Sequence, residues 1–289
     1  MKQPPEVPTI ESAPPELLAS GHLWILEWVV GSPLRFRLQH SGIIEFGDGE
    51  RVYDSGDELP PQYQHAVRHV RSRLDRNALR AAVDDPSAIV FFGTAMQYQG
   101  VEYDWERTPS FLGQEIWSAD AERFRPPDAV DGIFERLDLQ AVTPLEQELP
   151  ARDFDPDRYE IPQSTWYDGP AAGVVIRDKQ GHRARLSNPA VRDVESTPPP
   201  ETTGLTEPTA AALAATYGSD ERLSRLAENL RQQNGTVTDE QLFERAVAAA
   251  YRELDPQVFA PHGPVDRGAF RSELAALTGQ FTAEYSSTN

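Results

Sequence analysis

Two hydrophobic rhythms divide this chain. From residue 22 the apolar positions come in short β-branched and aromatic runs. Residues 23–30, 34–38 and 42–46 are such runs, separated by Gly31-Ser32-Pro33 and His40-Ser41-Gly42, and together they predict an antiparallel meander. Val67, Val70, Leu74 and Leu79 share one helical face and predict a single helix over residues 63–83. Strands are expected at 88–93, 111–117, 173–177 and 183–186, the last two joined by a turn at Gln180-Gly181, with a helix over 128–137.

Beyond residue 208 the rhythm is helical throughout. Leu223, Leu226 and Leu230 form one stripe, ended by Asn234-Gly235. Thr238 and Gln241 have capping-box spacing ahead of Leu242, Phe243, Ala246, Val247, Ala250 and Tyr251, and residues 270–281 supply a last helix. Proline punctuates the rest. Five prolines before Glu16 predict a disordered tail over 1–19, and a Pro/Thr/Glu-rich stretch predicts a linker over 191–208. The expected organisation is thus an α+β, antiparallel-sheet domain over 20–190 and a small all-α domain over 209–289.

Composition sharpens this. In 289 residues, 46 acidic against 27 basic side chains give a net charge of −19, and only Lys2 and Lys179 among the 27 are lysines. An acidic, lysine-poor surface fits a cell that keeps molar salt inside, where the Debye length is about 3 Å. With no apolar segment of spanning or signal length, the reading is a cytoplasmic protein of a high-salt cell with no membrane partner. The absence of cysteine excludes disulfides, thiolate metal sites and thiol nucleophiles.

Most motif chemistries are missing. There is no glycine-rich phosphate loop and no nucleophile elbow. Asp153, Asp155 and Asp157 open like a calcium loop, but Arg158 and Ser164 stand where glycine and glutamate are needed. His65 and His69 lie one helical turn apart with no third ligand, and no metal site is expected. Arg68, Arg71, Arg73, Arg76 and Arg80 make a basic stretch. Arg68 and Arg71 are candidates for RNA backbone contact, against the alternative of pairing with neighbouring carboxylates.

What remains is an ordered series: Leu26-Glu27-Trp28-Val29-Val30-Gly31-Ser32 with Arg35-Phe36; Phe91-Phe92-Gly93-Thr94; Phe111-Leu112-Gly113-Gln114-Glu115-Ile116-Trp117; Ala172-Gly173-Val174-Val175-Ile176-Arg177; and Arg183-Ala184-Arg185-Leu186. In order and rough spacing, across about residues 20–188, this resembles the RNA ligase family of ATP-dependent lysine nucleotidyltransferases, and the C-terminal helices resemble that family's helical appendage. The resemblance implies a nucleotidyltransferase fold and an ATP pocket in which a lysine attacks the α-phosphate. It also implies a divalent metal held by carboxylates, and transfer of AMP to a 5′-phosphorylated RNA end. By the same resemblance Glu27, Gly31, Arg35, Phe92, Gly93, Gln114, Gly173, Arg183 and Arg185 are the nucleotide- or phosphate-binding positions.

The departures fall at the reactive positions. Trp28 stands at the nucleophile, Thr94 at the ribose-binding glutamate, Gln114 at the adenine-stacking aromatic and Ala172 at the metal-associated glutamate. The sequence therefore predicts a chain of RNA-ligase type that has lost autoadenylylation. In that reading it binds a nucleotide or an RNA end, or scaffolds a protein partner, and has no certain cofactor. The alternatives are an active ligase using ATP and Mg2+ with Lys179 as nucleophile, and an interaction protein without a ligand. Trp28 is open to two roles, stacking on a base or filling the vacated pocket as core.

Overall fold

The computed structural model describes residues 1–53, 59–189, 191, 209–234, 237–260 and 263–288. Its backbone groups into two compact units, Met1–Met96 with Gly100–Thr197, and Gln97–Gln99 with Pro198–Asn289. The expected linker over 191–208 lies, apart from residue 191, outside the described residues, as does Gly235.

Two antiparallel sheets build the first unit. One is six-stranded: β2 (Ser32–Leu38), β3 (Ile44–Gly47), β4 (Val52–Tyr53), β5 (Ile89–Ala95), β6 (Phe111–Ser118) and β7 (Arg123–Phe124), in the order β4-β3-β2-β5-β6-β7. The other is four-stranded: β1 (His22–Glu27), β8 (Pro144–Pro150), β9 (Gly173–Arg177) and β10 (Arg183–Ser187), in the order β10-β9-β1-β8. The predicted meander is therefore corrected. β1 pairs with β8 and β9 rather than with β2, and of the three predicted runs those over 34–38 and 42–46 alone are neighbours, as β2 and β3. The run over 23–30 is not one strand. It stops at Glu27, the Trp28 N–H donates to the Gly173 carbonyl at 2.9 Å, and Val29 and Val30 are buried in an apolar cluster with Leu112, Trp166 and Ala172. Gly31 completes the crossing where a Cβ would stand 2.5 Å from the Ala95 carbonyl, a gap that admits no side chain.

Alternation along the strands gives each sheet two unlike faces. On the six-stranded sheet Leu34, Phe36, Leu38, Phe46, Phe91 and Phe111 form a core beneath α2 (Gln64–Arg73), α3 (Arg76–Ala82) and α4 (Pro127–Arg136), with the Phe36 and Phe91 rings stacked at 4.9 Å. The register pairs Arg35 with Phe92 and Phe92 with Glu115, so the opposite face carries a row of polar and aromatic groups. On the four-stranded sheet Leu23, Ile25, Val174, Ile176 and Ala184 face one core, leaving Arg177, Arg183 and Arg185 on the other side.

Two further expectations change. The helix over 63–83 is two helices, because Asp75 caps α3 by accepting the Asn77 and Ala78 N–H groups while the chain leaves α2 at Leu74. The basic stretch is split with it. Arg73 meets Asp138 at 3.4 Å and Arg76 donates to the Gly42 and Arg71 carbonyls. The tail over 1–19 is also ordered rather than disordered. Pro15–Ala19 is a helix (α1) whose Leu17 is fully buried against the four-stranded sheet, and the Arg185 N–H donates to the Pro8 carbonyl at 2.8 Å beside a Thr9–Arg185 bridge. Proline density there serves extended packing along a sheet edge, which needs few N–H donors.

The second unit holds α5 (Ala210–Tyr217), α6 (Asp220–Asn234), α7 (Asp239–Glu253) and α8 (Arg267–Thr288) around Leu223, Leu230, Leu242, Val247, Phe270 and Leu274. Both hydrogen bonds of the Thr238–Gln241 capping box are made. Among the described residues no helix is long and apolar enough to cross a membrane.

Candidate functional site

The polar face of the six-stranded sheet and the arginine-bearing face of the other border one cleft of about 250 Å3. Its walls include Glu27, Trp28, Gly31, Thr94, Gln114 and Arg185 from the predicted set, and Val7, Glu115 and Arg177 besides. Phe92 lies on the same sheet face, its ring 5.8 Å from that of Phe124. Gly93 is buried within β5, and Ala172 in the apolar cluster behind Trp28.

Trp28 is half-buried. Its indole packs on Gly173, where a Cβ would come within 2.7 Å of the ring, and the Arg185 guanidinium lies over it at 4.9 Å from the centroid. The ring is thus cleft wall rather than core, held flat between a bare backbone and a cation. Glu27, 1% exposed, is engaged beneath it. It accepts from the Ser164 hydroxyl at 2.6 Å and from the Thr165 N–H at 3.0 Å.

The arginines divide into two kinds. Arg183 donates to both Glu115 carboxylate oxygens, at 2.8 and 3.0 Å, and Arg177 lies 3.5 Å from the same carboxylate; all three side chains are buried. Desolvation pulls the Arg177 pKa down, and Glu115 opposes it. Arg183, expected to bind phosphate, is therefore a structural partner of Glu115. Arg35 and Arg185 differ: among the described residues no carboxylate forms an ion pair with either. Arg35 is 1% exposed, and its Nε and Nη2 have no hydrogen-bond partner. Each unmade bond of a buried donor costs about 1–3 kcal/mol. Burial lowers the Arg35 pKa, and the charge of Asp48 only partly restores it. The Arg185 Nε is likewise buried and unbonded.

Neither lysine stands at the nucleophile position. The Lys179 ammonium is bonded to Asp128 at 2.8 Å and Glu148 at 3.2 Å over the Trp24 ring, and those bonds raise its pKa, the reverse of what an attacking amine requires. The Lys2 ammonium lies 4.2 Å from the Trp117 ring centroid. A divalent metal does not fit the cleft either. Its Glu27 and Glu115 carboxylates are engaged by protein donors, and Thr94 and Ala172 bring none. Among the described residues no group of three acidic, histidine or cysteine side chains is placed to hold a metal.

The structure does not bring Arg68 and Arg71 to this cleft. They project from α2, which covers the opposite face of the sheet, and the Arg71 guanidinium lies 5.5 Å from the Phe46 ring centroid. Five contributors escaped sequence reasoning. Glu115 and Arg177 meet only through the packing of one sheet on the other. Ser164 and Thr165 reach Glu27 across 137 and 138 residues. Val7 arrives from a segment whose composition pointed to disorder.

The two-sheet architecture has solved counterparts. Naegleria gruberi RNA ligase with pyrophosphate superposes at a TM-score of 0.52 with 12% identity, over 68% of this chain and 59% of that one. This chain has an RNA-ligase fold. A mutant of the same Naegleria ligase with ATP and manganese aligns equally well (TM-score 0.52, 12% identity, 67% and 58% of the two chains). An archaeal ATP-dependent RNA ligase aligns at 0.47 with 12% identity, over 87% and 63%. The chain thus spans about three fifths of the length of the RNA-ligase structures it matches. No family model matches the sequence. No curated protein matches it either.

Proposed function

We propose that this chain binds the phosphate and base of a nucleotide, free or at a 5′-phosphorylated RNA end, without forming a covalent adenylate. The observation that carries this reading is that Arg35 and Arg185 form no ion pair with a carboxylate among the described residues and keep buried N–H donors unbonded, with only the more distant charge of Asp48 acting on Arg35. In so acidic a protein a buried guanidinium with unfilled donors is costly unless an anion answers it, and the planar fork suits phosphate oxygens. Trp28, flat beneath Arg185, offers a base a stacking surface. Loss of chemistry follows from the donors present. An indole has no amine to attack the α-phosphate, Lys179 is held protonated by two carboxylates, and the cleft carboxylates are occupied. We derive no step through a metal.

The test is incubation with α-labelled ATP and Mg2+ or Mn2+, beside calorimetric titration with ATP and with a 5′-phosphorylated oligoribonucleotide. Saturable binding with no covalent label is expected, weakened at least tenfold by Arg185→Ala. Covalent label on Lys2 or Lys179 that is stable to alkali and released by acid, as a phosphoramidate is, overturns the loss of chemistry. Absence of binding by both ligands, at low and at molar salt, overturns the site and favours an interaction protein.

A further inference from the structure

Residues Met1–Pro8 connect Arg35 and Arg185, the two arginines that no carboxylate among the described residues ion-pairs. The Arg35 Nη1 donates to the Lys2 carbonyl at 3.1 Å and to the Gln3 side-chain oxygen. The Gln3 amide in turn reaches the Glu50 carbonyl, the Lys2 ammonium lies over Trp117, Val7 lines the cleft, and the Pro8 carbonyl accepts from the Arg185 N–H. Pro5, Glu6 and Pro8 border a second hollow beside Trp117, Phe124 and Arg183 on the same side of the sheet. The segment thus crosses the polar face from one candidate phosphate ligand to the other.

Its hold is shallow. Lys2 and Gln3 are exposed although they cover Arg35, which is itself 1% exposed. Two neutral oxygens answer one nitrogen of the guanidinium while Nε and Nη2 stay unbonded. A phosphate would bring charge and several acceptor oxygens, and charge-assisted bonds are roughly twice as strong as neutral ones. The contact at Pro8 is of another kind, since it is backbone to backbone and ties down the end of the segment nearest β10.

We propose that Met1–Val7 is a displaceable strap over the polar sheet face, running from the cleft wall at Val7 to Arg35, which itself lies outside the cleft lining; it is tethered at Pro8, and a nucleotide in the cleft must dislodge it to reach Arg35. The proposal rests on the nucleotide reading above, and adds competition between the chain's own carbonyls and the ligand's phosphates. Its thermodynamic signature is a reduced apparent affinity, lowered by the fraction of molecules in which Arg35 is uncovered.

The strap is tested with two full-length substitutions and one deletion. Removing Lys2–Val7 keeps Pro8 and its bond to Arg185, and calorimetry with ATP and with tripolyphosphate should show about tenfold tighter binding. Gln3→Glu sets a carboxylate on Arg35, strengthens the latch and should weaken both ligands by a similar factor. The position is exposed, and the unfolding midpoint of the variant, measured alongside, should match that of the wild type. Lys2→Ala, which removes the contact with Trp117, should tighten binding slightly. A synthetic peptide of residues 1–9 should compete with ATP on the deleted chain. Equal, measurable ATP affinity in wild type, deletion and Gln3→Glu overturns the strap and leaves the nucleotide site standing. If no form binds ATP or tripolyphosphate, the nucleotide reading falls and the competition with it.

Discussion

Replacing Glu115 by alanine should cost this protein more than any other single surface-to-cleft change. The carboxylate accepts two bonds from Arg183 and faces Arg177 at 3.5 Å, with all three side chains at most 7% exposed. Its loss leaves two guanidiniums buried side by side without the carboxylate both face, and only the charge of Asp178 still acts on Arg177. Removing one partner of a buried pair costs about 3–5 kcal/mol. At about 2–4 °C per kcal/mol for a unit of this size, the midpoint should fall by about 6–20 °C. All five tryptophans, Trp24, Trp28, Trp105, Trp117 and Trp166, belong to the sheet unit, so their fluorescence during urea unfolding follows that unit by itself. Arg183→Ala should cost less, because Glu115 keeps Arg177. The double variant should lose less than the sum of the singles, since each change removes the charge the other leaves unpaired. Burial shields the cluster from screening, so the loss should persist in molar salt. A Glu115→Ala cost below about 1 kcal/mol, the range of exposed pairs, or strict additivity in the double variant, refutes the reasoning.

Other consequences are separable. Trp28→Ala removes a half-buried stacking surface rather than a core residue. It should weaken nucleotide binding in step with about 1–3 kcal/mol of stacking while shifting the unfolding midpoint little; a large stability loss with unchanged binding would return Trp28 to the core. Gly173→Ala forces a methyl group to within 2.5 Å of the Leu186 carbonyl and 2.7 Å of the indole, so a cost of about 1–3 kcal/mol is expected by denaturant titration, and a neutral result contradicts the packing. Asp48 is desolvated, but N–H donors from Arg51 and Glu50 and the Tyr53 hydroxyl outweigh this and depress its pKa. A depressed carboxylate adds stability above its unfolded pKa, lost as pH falls through the folded value. The stability gap between wild type and Asp48→Asn should therefore be full near neutrality and close below about pH 4; a gap independent of pH would exclude this role.

The sequence alone determined the class of fold and several of its local elements. Strands at 173–177 and 183–187 follow from alternation between outward apolar and cleft-facing arginine positions, and the Thr238–Gln241 cap from side chains that satisfy their own helix end. It also carried the order of the motif blocks, and with two lysines in the whole chain it restricted any attacking amine. The tertiary structure decided which strands share a sheet, because β1 and β2 are adjacent in sequence yet the chain crosses between sheets at 28–31, a choice set by burial of Val29 and Val30 and by the tight passage at Gly31. It decided which arginines are ion-paired among the described residues, since Glu115 and Arg183 are 68 residues apart and only the packing of the two sheets brings them together. It also placed Met1–Pro8 across the cleft, where proline-rich composition by itself predicts no order. Local patterns encode what a residue can do with its near neighbours; charge pairing and cleft occupancy depend on contacts between distant segments, which no window along the sequence contains.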